Sequence, residues 1–339
     1  MYRRGPSSFE IGRWDRRALR ILFSSYYETH RVKVPRELAR REFAFQPLEA
    51  ESYVRHIYFS SEEDLFRYLV QEPPKHAYYS VGLYHLPEAR SMEEKGWLGS
   101  EILVDIDVDK LEGCEGIKTE GGEIVGDECL ERGFEMALVG RKILERDFGA
   151  EVSAYFSGSR GFHLIAREES YLRLGREERE EIARYLSARG LEIELLLPRR
   201  GRRMFPALPT ERDPGWRGWL AQRARRPEDL ELLGEKLGIP IDEQVTRDPS
   251  RLARLVGSIN GKSGLLVTEI KDSFSPDITL SPWRGELTIK AKTSLEDVRV
   301  LGKELRMRSG ETLSMDAAHA MLLYLKGAAE ILEGEVEVV

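Results

Sequence analysis

The sequence predicts an α/β (α+β) fold, a mixed-sheet core with an inserted helical subdomain, and three observations predict it. Strand-like and helix-like runs alternate along most of the chain. The strongest strand candidate, 102–108, leads through a polar Gly-rich loop into a long helical run over about 127–147. From about 168 to 235 the pattern becomes helical, Arg-rich and irregular before strands return. The expected organisation is 1–167 as the first part of the core, 168–235 as a helical insertion, and 236–339 as the rest of the core with a C-terminal helix.

The elements follow in order. Residues 15–29 carry helical apolar spacing through Leu19, Ile21, Leu22 and Tyr26. Segments 41–45 and 54–59 alternate like strands, and Ser60-Ser61-Glu62-Glu63 supplies a cap and early acids for a helix reaching about Leu69. A third strand is expected over 78–84. The 110–126 stretch reads as loop. Strands over 151–156 and 162–167 flank the turn Ser157-Gly158-Ser159-Arg160-Gly161. Arg251 to Val256 reads as a basic helix, 265–270 and 286–291 as strands, and 312–332 as a helix.

Composition sets the bounds. The chain has 339 residues, 41% hydrophobic, with no apolar run long enough for a membrane span and no leader-like start. Cys114 and Cys129 are the two cysteines, so a disulfide framework is not expected and a reducing, cytoplasmic setting fits. Gln occurs four times and Asn once, at Asn260, while charged residues reach 33%, a pattern of thermophilic proteins. The net charge of −7 does not advertise nucleic-acid binding, although a cleft needs only local basic surface. Two basic clusters exist, Arg199, Arg200, Arg202, Arg203 and then Arg223, Arg225, Arg226, which read first as solvated surface.

Three segments carry chemistry. In the strand Ile102-Leu103-Val104-Asp105-Ile106-Asp107-Val108, residues i and i+2 share a face, so Asp105 and Asp107 present two carboxylates together. Like charges on an apolar strand repel and lose hydration, and a divalent cation removes that cost. Hard oxygen donors select Mg²⁺ or Mn²⁺, and two such ions suit in-line phosphoryl chemistry. In Ser157-Gly158-Ser159-Arg160-Gly161-Phe162-His163, two glycines allow a tight turn that gathers Ser157, Arg160 and His163 toward phosphate oxygens. The third segment holds Asp242, which would complete a three-carboxylate site, and then Arg254 and Lys262. Its Gly-Lys-Ser resembles a P-loop ending, but Val256 stands where the upstream Gly is required, which excludes that reading.

In this order, the three segments resemble the archaeo-eukaryotic DNA primase small (catalytic) subunit family, archaeal type. Further matches are Arg41-Glu42-Phe43, Val54-Arg55-His56, Pro74-Lys75, Tyr78-Tyr79-Ser80 and Lys95-Gly96-Trp97-Leu98-Gly99, so the resemblance covers most of the chain and is weakest over 168–235. It implies a primase-polymerase core and a nucleotidyltransferase that makes short RNA, or DNA, primers on single-stranded DNA during replication. Asp105, Asp107 and Asp242 become the catalytic metal ligands. Ser157, Arg160, His163, Arg254, Lys262 and Asn260 become nucleotide contacts, with Glu42, Arg55 and Lys75 near the same pocket. The implied partners are a primase large subunit in a heterodimer, the template and nucleoside triphosphates. Two departures stand out: Ser159 replaces the first Arg of the usual Ser-Gly-Arg-Arg-Gly-x-His, and Asn260 replaces a His. The family's zinc knuckle is not expected here, since the interval offers only Cys114 and Cys129 with acids such as Glu112, Glu115 and Asp127. The alternatives are a repair-type primase-polymerase, or a non-catalytic nucleotide-binding or regulatory subunit that kept the fold.

Overall fold

A computed structural model describes residues 8–10, 16–190, 215–223 and 237–339. The chain opens with β1 (Ser8–Glu10) and α1 (Arg16–Thr29), then β2 (Phe43–Pro47), β3 (Val54–Ile57) and α2 (Glu62–Gln71). Next come β4 (Pro74–Ser80), β5 (Gly82–Tyr84), α3 (Met92–Lys95), β6 (Trp97–Ser100) and β7 (Ile102–Asp107). A hairpin, β8 (Ile117–Thr119) and β9 (Gly122–Ile124), precedes α4 (Asp127–Asp147), β10 (Glu151–Phe156), β11 (Gly161–Arg167) and α5 (Arg176–Ser187). After α6 (Gly215–Arg223) and α7 (Glu243–Arg247) come β12 (Leu252–Arg254), β13 (Ile259–Asn260), β14 (Leu265–Leu266) and β15 (Thr268–Ile270). The last part is β16 (Trp283–Ala291), β17 (Leu295–Val300), β18 (Lys303–Met307), β19 (Thr312–Asp316), α8 (Ala317–Leu325) and β20 (Ala329–Val338).

Three four-stranded sheets organise these elements, in the orders β15-β10-β11-β7, β12-β4-β2-β3 and β1-β20-β16-β19. Their pairings are antiparallel throughout. The first sheet carries the acidic strand at its edge and lies on α4. That helix approaches closely at two glycines: a Cβ on Gly133 would meet Val108 at 2.3 Å, and one on Gly140 would meet Leu164 at 2.8 Å. Val104, Ile106, Phe162 and Leu164 fill the interface and are fully buried. Large side chains at either glycine would push the helix off the sheet. The third sheet wraps α8, whose residues from Ala317 to Leu323 are all buried.

The mixed fold agrees with the expectation, and α4 runs over the predicted 127–147. Four local readings need correction. Tyr78 to Tyr84 is two strands in different sheets, β4 and β5. The 110–126 stretch contains the β8–β9 hairpin. Arg251–Val256 is not helical: β12 pairs with β4, Arg254 opposite Tyr78, which outweighs the helical leaning of Leu, Ala and Arg. The expected 312–332 helix is a strand, a short helix and another strand; Gly327 at φ 71° ends the helix before β20 alternates. Of the insertion, α5 and α6 are described. Arg199, Arg200, Arg202, Arg203, Arg225 and Arg226 lie outside the described residues.

The cysteines are also corrected. Cys114 and Cys129 form a disulfide, with Cα atoms 5.6 Å apart. The β8–β9 hairpin folds back on the start of α4, which brings together thiols 15 residues apart. Asp127 is occupied as well: its carboxylate accepts from Leu301 N at 2.8 Å and Gly302 N at 2.7 Å, fastening α4 to the β17–β18 turn. Replacing both cysteines by serine is expected to cost up to about 3 kcal/mol for a loop of this size. A fall in the denaturation midpoint relative to the oxidised protein would report it, and equal midpoints would deny it.

Candidate active site

The site begins with strand alternation. On β7, Val104 and Ile106 point into the core, so Asp105 and Asp107 point out of it, into a cavity of about 770 Å³. Pairing with β11 sets His163 opposite Asp105 and Gly161 opposite Asp107. His163 Nε2 lies 3.3 Å from Asp105 Oδ1. Burial raises the Asp105 carboxyl, but His163, Arg254 and Lys110 outweigh it and the net shift is downward. Asp107 moves the other way, raised by burial and by the charges of Asp105 and Asp109. The pair is thus split: Asp105 is held as a carboxylate, while Asp107 is destabilised as an anion and gains most from a cation.

The Ser157–Gly161 turn runs past the acidic pair. Ser157 N donates to Gly161 O at 2.9 Å, and Val108 N donates to Arg160 O at 3.0 Å. Gly158 has φ 77°, and a Cβ there would stand 2.8 Å from Asn260, so glycine is needed. Arg160 pairs with Asp109 at 2.9 Å and Glu123 at 2.7 Å. Ser157, Arg160 and His163 all line the cavity, as the sequence predicts.

The third segment closes another wall. Asp242 N donates to Asp105 O at 2.9 Å, locking the chain to β7. Its Oδ1 caps α7 by accepting from Gln244 N at 3.0 Å and Val245 N at 3.4 Å. Its Oδ2 has no hydrogen bond among the described residues. No three His, Cys, Asp or Glu side chains among the described residues converge as a preformed metal site. Asp105 and Asp107 line the cavity and Asp242 is not among its lining residues, so the expected three-carboxylate cluster is a pair, with Asp242 tied to Asp105 through the backbone. Such a pair suits Mg²⁺ or Mn²⁺, which keep waters and take substrate phosphate oxygens beside one or two carboxylates.

Arg254 and Lys262 reach the cavity. Arg254 Nη1 lies 3.1 Å from His76 Nδ1, and its guanidinium sits 5.0 Å from the Tyr78 ring centre. Burial, then the charge of Arg254, pushes His76 down to about 2, so the ring is neutral and accepts from the guanidinium. Lys262 is lowered by burial and by Arg254, Lys75 and Arg160.

Four predicted residues sit differently from one another. Arg55 lines the cavity. Glu42 lies behind it, 2% exposed, pairing with Arg55 at 3.0 Å and with buried Lys95. Lys75 is not at the cavity wall: it pairs with Glu51 at 3.3 Å, and its carbonyl accepts from Gly261 N at 2.7 Å. Asn260 borders the cavity but is fully buried, and both ends of its amide are engaged. Nδ2 donates to Ser157 O at 2.9 Å, and Oδ1 accepts from Lys262 N at 3.1 Å. It braces two phosphate-facing loops from the edge of the cavity. Asn260→Ala strands a buried carbonyl and a backbone N–H, so a loss of about 2 kcal/mol in stability and weaker nucleotide affinity are expected. Denaturation and nucleotide titration on one preparation check both; unchanged affinity would leave Asn260 with a purely structural role.

Sequence reasoning missed Lys118, Thr119 and Glu123 from the hairpin, Ser159 from the turn and Lys326 after α8, all of which line the cavity. Only the Glu120-Gly121-Gly122 run hinted at the hairpin.

Paired carboxylates facing several cations across one polar cavity, on a mixed α+β scaffold, define a nucleotidyltransferase type of site. Comparison with known proteins then gives the family. The family model for the DNA primase small subunit matches residues 104–272, which include Asp105, Asp107 and the other two motif segments. The DNA primase small subunit PriS of Aeropyrum pernix is 50% identical over 330 residues, 94% of each chain. That of Sulfolobus acidocaldarius is 38% identical over 328 residues, 90% of this chain and 92% of the relative. Among solved structures, the polymerase domain of Mycobacterium tuberculosis ligase D in complex with DNA aligns with a TM-score of 0.42 and 12% identity, over 74% of this chain and 80% of that one. That likeness is too distant to bear on the fold. The chain belongs to the DNA primase small subunit family, of archaeal type, and its function is that of a primase nucleotidyltransferase in DNA replication. No helix among the described residues is long and apolar enough to cross a membrane.

Proposed function

We propose that this chain starts nucleotide chains on a single-stranded DNA template by two-metal nucleotidyl transfer, as the catalytic partner of a primase large subunit. One observation carries the reading: the acidic pair shares its cavity with Arg160, Arg254 and Lys262 from two other segments. Asp105 and Asp107, with Asp242 tied to Asp105 through the backbone, would hold two Mg²⁺ or Mn²⁺ ions. When bound, such ions lower the pKa of a 3′-hydroxyl and offset charge building on the α-phosphate.

The chain's own residues do the remainder. His163 holds Asp105 in orientation and keeps it ionised. Arg160, Arg254 and Lys262 face the phosphates that leave as pyrophosphate. Neutral His76 and the Tyr78 ring fix the Arg254 fork. Asn260 keeps the Ser157 and Lys262 loops in register. No side chain is needed as the general base if the metal acidifies the hydroxyl.

The test is synthesis on homopolymer templates with labelled ATP and Mg²⁺ or Mn²⁺, with and without the large subunit. Labelled oligomers are expected on poly(dT) and not on poly(dC) or without template. Absence of product even with the large subunit, or product indifferent to template, contradicts the reading.

A further inference from the structure

Lys326 has a placement that the roles above do not use. It follows the last turn of α8 and is 6% exposed, yet it lines the active-site cavity. Its ammonium has no carboxylate partner within ion-pair distance among the described residues. Nζ donates instead to the neutral Ser159 hydroxyl at 3.0 Å. A buried ammonium without an anion is costly, and an anion arriving from outside would relieve that cost.

Its neighbours sharpen the point. Burial, then Arg160 and Lys262, lower its pKa to about 8, so it is still largely charged near neutrality. Glu123, the acid that acts on it, is already engaged, since it pairs with Arg160 at 2.7 Å. The cavity therefore holds positive charge from Arg160, Arg254, Lys262 and Lys326 beyond what its acids offset on this side.

The backbone is fixed for the task. Lys326 O accepts from Gly121 N at 2.9 Å and from Thr119 Oγ1 at 2.5 Å, so the hairpin tip is pinned to the end of α8. A Cβ on Gly121 would stand 2.8 Å from Leu325 O, which leaves no room for a side chain there. Position along the turn sets the direction. His163 and Gly161 lie beside the acidic pair, Arg160 lies beyond it, and Ser159 with Lys326 lies one residue further. A triphosphate laid along this line with its α-phosphate at the acidic pair would bring its β- and γ-phosphates to Lys326.

We propose that Lys326 binds the β–γ end of the incoming nucleoside triphosphate and the pyrophosphate released from it, with the Ser159 hydroxyl aiming its ammonium. This rests on the nucleotidyl-transfer reading above. A phosphate of the template strand shares the same chemistry, so the test separates the two.

The test measures equilibrium binding of ATP and AMP with Mg²⁺, and of a single-stranded oligonucleotide, to wild type, Lys326→Met and Lys326→Arg. Lys326→Met is expected to weaken ATP by about tenfold to a hundredfold, as loss of a charge-assisted hydrogen bond does, and to leave AMP and oligonucleotide unchanged. Lys326→Arg is expected to restore most of the loss. Equal weakening of ATP and AMP, weakening of the oligonucleotide alone, or no change overturns the proposal. If Lys326→Met does not fold, Ser159→Ala is read instead: a smaller loss for ATP alone supports the proposal, and none overturns it. Folded wild type that binds no ATP removes the nucleotidyl-transfer reading itself, and this proposal with it.

Discussion

Asp105→Asn/Asp107→Asn is expected to lower nucleotide incorporation by at least about a thousandfold while leaving the protein folded. The shape of the strand is unchanged by the substitution. What disappears is the charge that would hold two cations, whose stabilisation of phosphoryl transfer is several kcal/mol, with each ~1.4 kcal/mol a factor of ten in rate. The fold is expected to survive because the two changes oppose each other: burial and the charge of Asp105 raise Asp107, so neutralising it is favourable, while against burial His163 and Arg254 hold Asp105 ionised, so neutralising it loses that gain. Neutralising Asp107 relieves its repulsion, as expected of a site tuned for function over stability. Incorporation assays and thermal denaturation on the same preparation read both halves. Lost activity with a lowered melting point would point to misfolding, and retained activity would remove the acidic strand from the chemistry.

The second large effect is on stability. Glu42→Ala is expected to destabilise the fold by about 3–5 kcal/mol, because it leaves a buried ammonium unpaired. Glu42 and Lys95 have side chains 3% and 2% exposed, and they join β2's entrance to the end of α3. Burial raises the Glu42 carboxyl, but Lys95 and Arg55 outweigh it and the net shift is downward. A carboxyl lowered by folding contributes stability that is complete above its unfolded pKa near ~4.3 and is lost as pH falls through the lower folded value. Glu42→Leu/Lys95→Met is expected to recover most of the loss, since a buried pair replaced by apolar groups is often neutral. Urea midpoints for the single and double variants give the comparison. A small effect in the single variant would show that water reaches Lys95.

What could be read beforehand was local. Asp105 and Asp107 were legible because strand alternation alone puts them on one face. The Ser157–His163 turn was legible because its glycines bracket the charged residues. The helix over 127–147 was legible at both ends. What escaped depends on partners far along the chain. Lys326 and Ser159 are 167 residues apart, and Glu42 and Lys95 are 53 apart. Nothing near Lys326 marks it, since Tyr-Leu-Lys-Gly reads as an ordinary helix end. Arg251 to Val256 was misread as helix because its residues favour helix locally, while the pairing of Arg254 with Tyr78 decides otherwise. Asn260 reads as a nucleotide contact because it stands where the resembled family has a His. Only the fold shows both of its ends already engaged. The disulfide escaped because two cysteines in a chain this long carry no framework signal.

The central claim is that Asp105 and Asp107 hold catalytic cations against a bound triphosphate. Titration of Mn²⁺, followed by electron paramagnetic resonance with a non-hydrolysable nucleoside triphosphate present, tests it most directly. The account predicts two Mn²⁺ bound in each wild-type chain–nucleotide complex, and loss of protein-dependent Mn²⁺ in Asp105→Asn/Asp107→Asn. No protein-dependent Mn²⁺, or the same stoichiometry in the double variant, would contradict it.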